Sequence, residues 1–198
     1  MSECLIIAVN RSRDENKFGS VGLPSSSFSF EIRNSTQQAV KKGEVGEVCV
    51  KGKNVMLGYW HNEEATQKAL REGWLYTGDL AYQDKDNYLW IVGRLKNIII
   101  RDGDNVSPYE IEEVLASHPS VKISAVLGVF DQSEGQVPYA FVELKNPCTI
   151  QDLQKYLENK LDKLSMPKYF KIVSVLPRTP NGKIDRERLR DLVEDQLR

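Results

Sequence analysis

The sequence has only three cysteines, Cys4, Cys49 and Cys148, in 198 residues. They lie far apart, with neither paired spacing nor a Cys-x-x-Cys pattern, which excludes a disulfide framework and a cysteine zinc site and leaves ordinary reduced thiols. No apolar run approaches the roughly 20 residues that a membrane-spanning helix needs. Residues 1–20 turn polar too early for a secretory signal, so a cytoplasmic protein with no transmembrane segment is expected. Charge of one sign is lacking too: 27 Lys+Arg stand against 28 Asp+Glu, a formal net charge of -1. Without a long-range basic field, neither nucleic acid nor an anionic membrane is an expected partner. There is no internal repeat and no low-complexity tract.

What is present is enough apolar sequence, 40% of residues, to build the core of one or two globular domains. Met1-Ser2-Glu3-Cys4 leads straight into Leu5-Ile6-Ile7-Ala8-Val9, as though the sequence opened inside a folded chain, and a piece of a longer protein is expected.

Residues 10–27, with Gly19, Gly22 and Pro24 as breakers, read as a loop. Strands are expected over 28–32, 48–50, 80–82 and 88–92, with a helix from an Asn62 N-cap to about Arg71. Asp84-Lys85-Asp86-Asn87 has hairpin-loop length, so the runs on either side of it should pair antiparallel. After Gly93-Arg94 the rhythm changes to alternating strand and helix, which sets a domain boundary there, 1–93 and 94–198. Ser107-Pro108-Tyr109-Glu110 joins an N-cap serine, a proline at the first helical position and Glu at N3, and predicts a helix carrying Ile111, Val114 and Leu115. Strands are expected at 121–130, 139–144 and 170–176. Thr149 should cap a helix with Leu153, Tyr156, Leu157, Leu161 and Leu164 on its apolar face, and a last helix should run from Asp185. The order β-α-β-β-α-β-α predicts a small α+β domain with a mostly antiparallel sheet, preceded by a β-rich part.

Three stretches carry more Gly and charge at fixed positions than a core needs. In Tyr76-Thr77-Gly78-Asp79-Leu80, a carboxylate beside a glycine can accept hydrogen bonds from two adjacent hydroxyls, as on a ribose; the tetrapeptide also describes a turn Asp that caps its own backbone. In the run from Gly93-Arg94 to Asn105, Arg94 offers a fork of donors to a nucleotide and Gly103 lets a thin ligand pass the backbone, although a solvated linker has the same composition. In Pro177-Arg178-Thr179-Pro180-Asn181-Gly182-Lys183-Ile184, Asn-Gly makes a tight turn with Lys183 at its tip. A lysine there is either solvated or aimed at a transferring phosphoryl group, where it supplies fixed positive charge. Gly43 to Gly52 and Gly58-Tyr59-Trp60 read as framework.

Order and spacing join these stretches. Gly46-Glu47 through Gly58-Tyr59-Trp60, Trp74-Leu75-Tyr76-Thr77-Gly78-Asp79-Leu80, Gly93-Arg94 through Pro108-Tyr109-Glu110-Ile111-Glu112, and the 177–184 segment together resemble the acyl-adenylate-forming superfamily of acyl-CoA synthetases, peptide synthetase adenylation domains and luciferase-like enzymes. Met1-Ser2-Glu3 resembles the end of that family's Gly-x-[Ser/Thr]-Glu element. The resemblance implies the last subdomain of the large domain followed by the whole small mobile domain, with the phosphate loop and most of the acyl pocket upstream. It implies ATP, Mg²⁺ and coenzyme A, and a carboxylic, fatty or other, acid activated as acyl-AMP and passed to a thiol. By the same resemblance Asp79, Arg94 and Ser2 bind the nucleotide, Glu3 the metal, and Lys183 is catalytic in adenylation. Lys96 is the hinge, and Gly103 lies along the pantetheine arm of coenzyme A. The chain alone is expected to be inactive. The alternatives are a fatty acyl-AMP ligase serving an acyl carrier protein, a peptide synthetase adenylation domain, or a stand-alone binding module without catalysis.

Overall fold

The structure, a computed structural model, describes residues 1–10 and 16–197, and of 194–197 the backbone alone. Two compact units divide it, Met1–Lys96 and Asn97–Arg198. The expected boundary after Gly93 and this division differ because Arg94 is still a strand residue of the first unit, paired with Asp79.

In the first unit β1 (Ala8–Val9) and β2 (Leu23–Pro24) form a two-stranded antiparallel ribbon. The loop expected over 10–27 therefore contains a strand; residues 11–15 of it lie outside the described residues. The ribbon is tight because Gly22, at φ +95°, brings its Cα against Val9, where an added Cβ would stand 2.3 Å from the Val9 carbonyl carbon. β3 (Ser29–Arg33), β4 (Gly46–Lys51), a short helix α1 (Glu63–Ala69), β5 (Leu70–Arg71), β6 (Trp74–Gln83) and β7 (Leu89–Arg94) follow. They make a five-stranded antiparallel sheet in the order β3-β4-β6-β5, with β7 also on β6. Asn62 caps α1, its side chain accepting from the Ala65 amide at 3.0 Å. The helix stops at Ala69 rather than Arg71, because Leu70 and Arg71 turn back through Glu72-Gly73, both at positive φ, to pair with β6. β6 is ten residues long where a short strand was expected. Its N-terminal half is masked in sequence by Thr77-Gly78, which form a bulge. Cys4, Ile32, Val48, Val50, Leu75, Ala81 and Leu89 form this unit's core.

In the second unit, β8 (Ile99–Arg101) and β9 (Asp104–Val106) follow a single 3-10 turn, Leu95–Asn97. The chain continues as α2 (Pro108–Ala116), β10 (Val121–Asp131), β11 (Gly135–Leu144), α3 (Ile150–Glu158), β12 (Tyr169–Val173) and α4 (Arg186–Leu197). The sheet runs β10-β11-β8-β9, all antiparallel, with β12 added parallel to β11. The expected α+β class and mostly antiparallel sheet are what the fold contains.

Both faces of this sheet are covered, which is why Ala125, Val126 and Leu127 form an unbroken apolar run instead of alternating with polar residues. Ile99, Ile111, Leu115, Val126, Val142, Leu153 and Leu157 pack on the α2 and α3 side. Ala125, Leu127, Phe141, Leu176, Leu189 and Val193 pack on the α4 side. Each fully buried leucine stabilises the unit by about 2 kcal/mol. Ser107 and Thr149 cap α2 and α3 as read from sequence, Thr149 with a reciprocal Asp152.

Candidate functional site

The bulge in β6 shapes the first unit's candidate site. Glu47 pairs with Leu80 and Cys49 with Tyr76, so Thr77, Gly78 and Asp79 stand opposite Val48 alone and β6 carries two extra residues there. Gly78 takes φ +71°, a region glycine enters without strain. The exposed peptide groups are satisfied locally. The Gly78 amide donates to Glu47 Oε1 at 2.8 Å, the Thr77 hydroxyl to the Val48 carbonyl at 2.9 Å, and the Asp79 amide to Thr77 Oγ1 at 3.1 Å. Glu47, read from sequence as framework, is the brace of this bulge.

A second irregularity sits opposite. From Gln83↔Leu89 to Ala81↔Ile91 the β6–β7 ladder is regular, and then Leu80 faces Gly93 and Asp79 faces Arg94. Val92 is the extra residue; an even register would have set Asp79 against Gly93. Arg94 Nε donates to Asp79 Oδ1 at 2.6 Å, and its Nη2 to the Thr77 carbonyl at 3.3 Å. The hydrogen bond to Asp79 raises the Arg94 pKa further, although burial opposes it.

Glu3 belongs to the same neighbourhood. Its Oε1 accepts from the Tyr59 hydroxyl at 3.2 Å, and its carbonyl from the Met56 amide at 2.7 Å. Burial, then the Glu3 charge, pushes the Tyr59 phenol up, which keeps it a donor. Tyr59 was read as framework; only its contact with Glu3, 56 positions away, reveals it. Ser2 is exposed in the turn before buried Cys4. The Cys4 thiol is pushed up by burial, with Glu3 and Asp79 adding to it, and Cys49 up to about 12 by burial. All three cysteines are free, and these two stay protonated and inert. A pocket of about 210 Å³ with Leu5, Ile7, Val48, Leu89 and Ile91 in its walls has Asp79 at its lining.

Among the described residues no three His, Cys, Asp or Glu side chains cluster as a metal site. A single carboxylate oriented by a phenol still suits Mg²⁺, which takes one or two protein carboxylates and completes its octahedron with phosphate oxygens and water. Glu3 fits that role.

The second unit holds the other two candidates on separate turns. Gly103 is in the two-residue β8–β9 turn: Asp102 at φ +52° and Gly103 at φ +89° give the Asp-Gly hairpin that matches strand twist. A Cβ at Gly103 would meet nothing within 4 Å, and Asp102 and Asp104 beside it are exposed. Lys183 closes a second turn. The Gly182 amide donates to the Thr179 carbonyl at 2.9 Å and the Thr179 amide to the Lys183 carbonyl at 2.8 Å. The tip is therefore Pro180-Asn181, and Lys183 sits one step past the left-handed Gly182 rather than at the apex, because that glycine adds a residue to the returning arm. Its side chain is exposed, and no carboxylate pairs with it among the described residues. Lys96 is exposed in the 3-10 turn at the end of the first unit. Thus Asp79, Arg94 and Glu3 share one neighbourhood, Ser2 is next to Glu3 in sequence, and Gly103 and Lys183 occupy different turns of the second unit.

The family model described as AMP-binding enzyme matches residues 1–60, and that described as AMP-binding enzyme C-terminal domain matches residues 110–183. The chain is 41% identical over 179 residues to a 2-succinylbenzoate–CoA ligase of Bacillus mycoides, covering 90% of this chain and 37% of the relative. It is 39% identical to a long-chain-fatty-acid–CoA ligase of Salmonella typhimurium, covering 96% and 34%. Among solved structures, o-succinylbenzoate CoA synthetase from Bacillus subtilis with its acyl-adenylate intermediate is 38% identical at TM-score 0.82, covering 88% of this chain and 36% of that one. ATP-bound MatB from Rhodopseudomonas palustris is 33% identical at TM-score 0.91, covering 100% and 40%. The chain therefore spans little more than a third of the curated relatives it matches. Among the described residues, no helix is long and apolar enough to cross a membrane.

Proposed function

Because the chain belongs to the AMP-binding enzyme family, we propose that it works as the C-terminal part of an AMP-forming acyl-CoA synthetase of the cytoplasm, with residues 1–96 completing a large domain and 97–198 forming a mobile one. The proposed reaction has two steps. A carboxylate oxygen of the acid attacks the α-phosphorus of ATP and pyrophosphate leaves; then a thiol sulfur attacks the acyl carbon and AMP leaves.

In the first step Asp79 accepts hydrogen bonds from the ribose hydroxyls, held in place by Arg94, whose guanidinium also reaches the nucleotide. Ser2 donates to phosphate, and Glu3 would hold Mg²⁺, which would supply positive charge to neutralise the phosphates. The ammonium of Lys183 bridges the acid's carboxylate and the α-phosphate, stabilising charge that builds up in the transition state. Backbone rotation at Lys96 then exchanges the turn that carries Lys183 for the turn that carries Gly103, along which the pantetheine arm lies.

The observation that supports this reading most is Lys183, an exposed ammonium on a braced turn at the end of the span matched by the family's C-terminal domain, with no carboxylate partner among the described residues. The test is ATP–pyrophosphate exchange across a panel of carboxylic acids, with and without Lys183→Ala, in a ligase reconstituted with this chain as its C-terminal part. Acid-dependent exchange that collapses in the variant supports the reading.

A second reading has one observation in its favour. Asp102 and Asp104 place two exposed carboxylates beside Gly103, which repel the phosphates of coenzyme A, so the acceptor thiol is instead the pantetheine of an acyl carrier protein. Comparing the two acceptors with one acyl-adenylate separates the readings.

A further inference from the structure

Lys183 lies on a loop with two feet, and both are tied to the sheet. At the first foot, Glu143 on β11, only 3% exposed, accepts from the Leu176 amide at 3.0 Å while Lys122 pairs with its other oxygen at 2.5 Å. At the second foot, the Asp185 amide returns to the Pro177 carbonyl at 2.9 Å, and Asp185 caps α4 by accepting from the Arg188 amide at 3.1 Å. Arg186, the first residue of α4, then reaches across to β10. Its Nη1 donates to the Val126 carbonyl at 2.7 Å, and its Nη2 to Glu112 Oε1 at 2.7 Å. The same Glu112 oxygen accepts from the Val126 amide at 2.7 Å.

β10 pairs with β11 alone among the described strands, so the Val126 peptide groups point off the sheet edge. The Glu112–Arg186 pair therefore saturates one residue of a bare edge with a two-pronged, charge-assisted contact. The contact reads no other part of the chain. It fixes the entry of α4, three residues after Lys183, to the middle of an 11-residue strand.

We propose that Glu112 and Arg186 are positioning residues for Lys183: they act on adenylation only by holding the foot of its loop against β10. The proposal rests on the assignment of Lys183 to the adenylation step. An ammonium on an exposed loop loses rate steeply when its position spreads, since misplacement by about 1 Å can cost 10²-fold. A lysine in place of Arg186 keeps the charge but cannot hold the Val126 carbonyl and Glu112 together.

Two measurements test it. In the 198-residue chain, Arg186→Ala and the milder Arg186→Lys and Glu112→Gln are followed by amide hydrogen exchange. The Thr179 and Gly182 amides, which close the Lys183 turn, are expected to exchange about tenfold faster while amides of β11 keep their protection. Unchanged exchange at Thr179 and Gly182 overturns the proposal. In the reconstituted ligase, single-turnover acyl-adenylate formation is compared for Arg186→Ala, Lys183→Ala and the double variant. Arg186→Ala is expected to slow it by about tenfold or more, Arg186→Lys by less, and Arg186→Ala to add nothing once Lys183 is gone. Multiplied losses in the double variant show that Arg186 acts without Lys183 and overturn the proposal. If Lys183→Ala alone leaves adenylation intact, the functional reading of Lys183 fails instead, and the exchange data still decide whether the clamp fixes the turn.

Discussion

Asp79 and Arg94 face one another across β6 and β7 with Nε and Oδ1 2.6 Å apart, in a register set by the extra residue Val92 on β7, next to the bulge that β6 makes against β4. Bulges in two adjacent ladders beside one ion pair are features that re-aim side chains rather than defects of the sheet. The pair is partly exposed, 46% for the Arg94 side chain and 28% for Asp79, so its worth to stability is small. Asp79→Ala is accordingly expected to leave the melting temperature of the chain nearly unchanged. In the reconstituted ligase it should raise KM for ATP by about tenfold, the loss of one or two hydrogen bonds to ribose. A large drop in melting temperature with an unaltered KM would assign the pair to the fold instead.

Gly78 and Gly22 have positive φ for different reasons, and alanine separates them. At Gly78 a Cβ meets nothing within 4 Å, so Gly78→Ala costs the left-handed conformation alone, about 1–2 kcal/mol. At Gly22 the Cβ would stand 2.3 Å from Val9 backbone, and Gly22→Ala must also push the β1–β2 ribbon apart. Thermal unfolding should rank Gly22→Ala clearly below Gly78→Ala; equal losses would mean that the ribbon yields without cost.

Acid should loosen the hairpin between β6 and β7 in a definite window. Burial pushes the Asp84 carboxyl up, but hydrogen bonds from Lys17 first, then Trp90 and the Tyr88 and Asp86 amides, outweigh it and hold Asp84 at about 2 against an ordinary 3.8. A carboxyl lowered by folding contributes stability that is present above its unfolded value and lost as pH falls through its folded one. Stability from Asp84 is thus full above 3.8 and disappears toward about 2. Asp84→Asn should flatten the stability curve in that interval; parallel curves for the two proteins would remove Asp84 from the account.

The local parts of the fold were legible in the sequence. Asn62, Ser107 and Thr149 cap helices because capping depends on residues three apart. The 84–87 turn fixed the pairing of β6 with β7. The first half of β6 was hidden because Thr77-Gly78 break the alternation that marks a strand, and β5 was taken into α1 because the helix ends without glycine. Asp79, Arg94 and Lys183 could be named from motifs. Their partners could not: Glu47 on Gly78, Tyr59 on Glu3 and Glu112 on Arg186 join positions 31, 56 and 74 residues apart. No local pattern encodes such contacts, because sheet register and helix packing create them.

The central claim is that the Lys183 ammonium acts in adenylation and not in thiol transfer. Its most direct test is to measure both half-reactions for Lys183→Ala in the reconstituted ligase: acyl-adenylate formation from acid and ATP, and thioester formation from supplied acyl-adenylate. The account predicts a fall of roughly 10²-fold or more in the first, the scale of losing one aimed electrostatic donor, with the second little changed. An equal fall in both, or none in either, would contradict it.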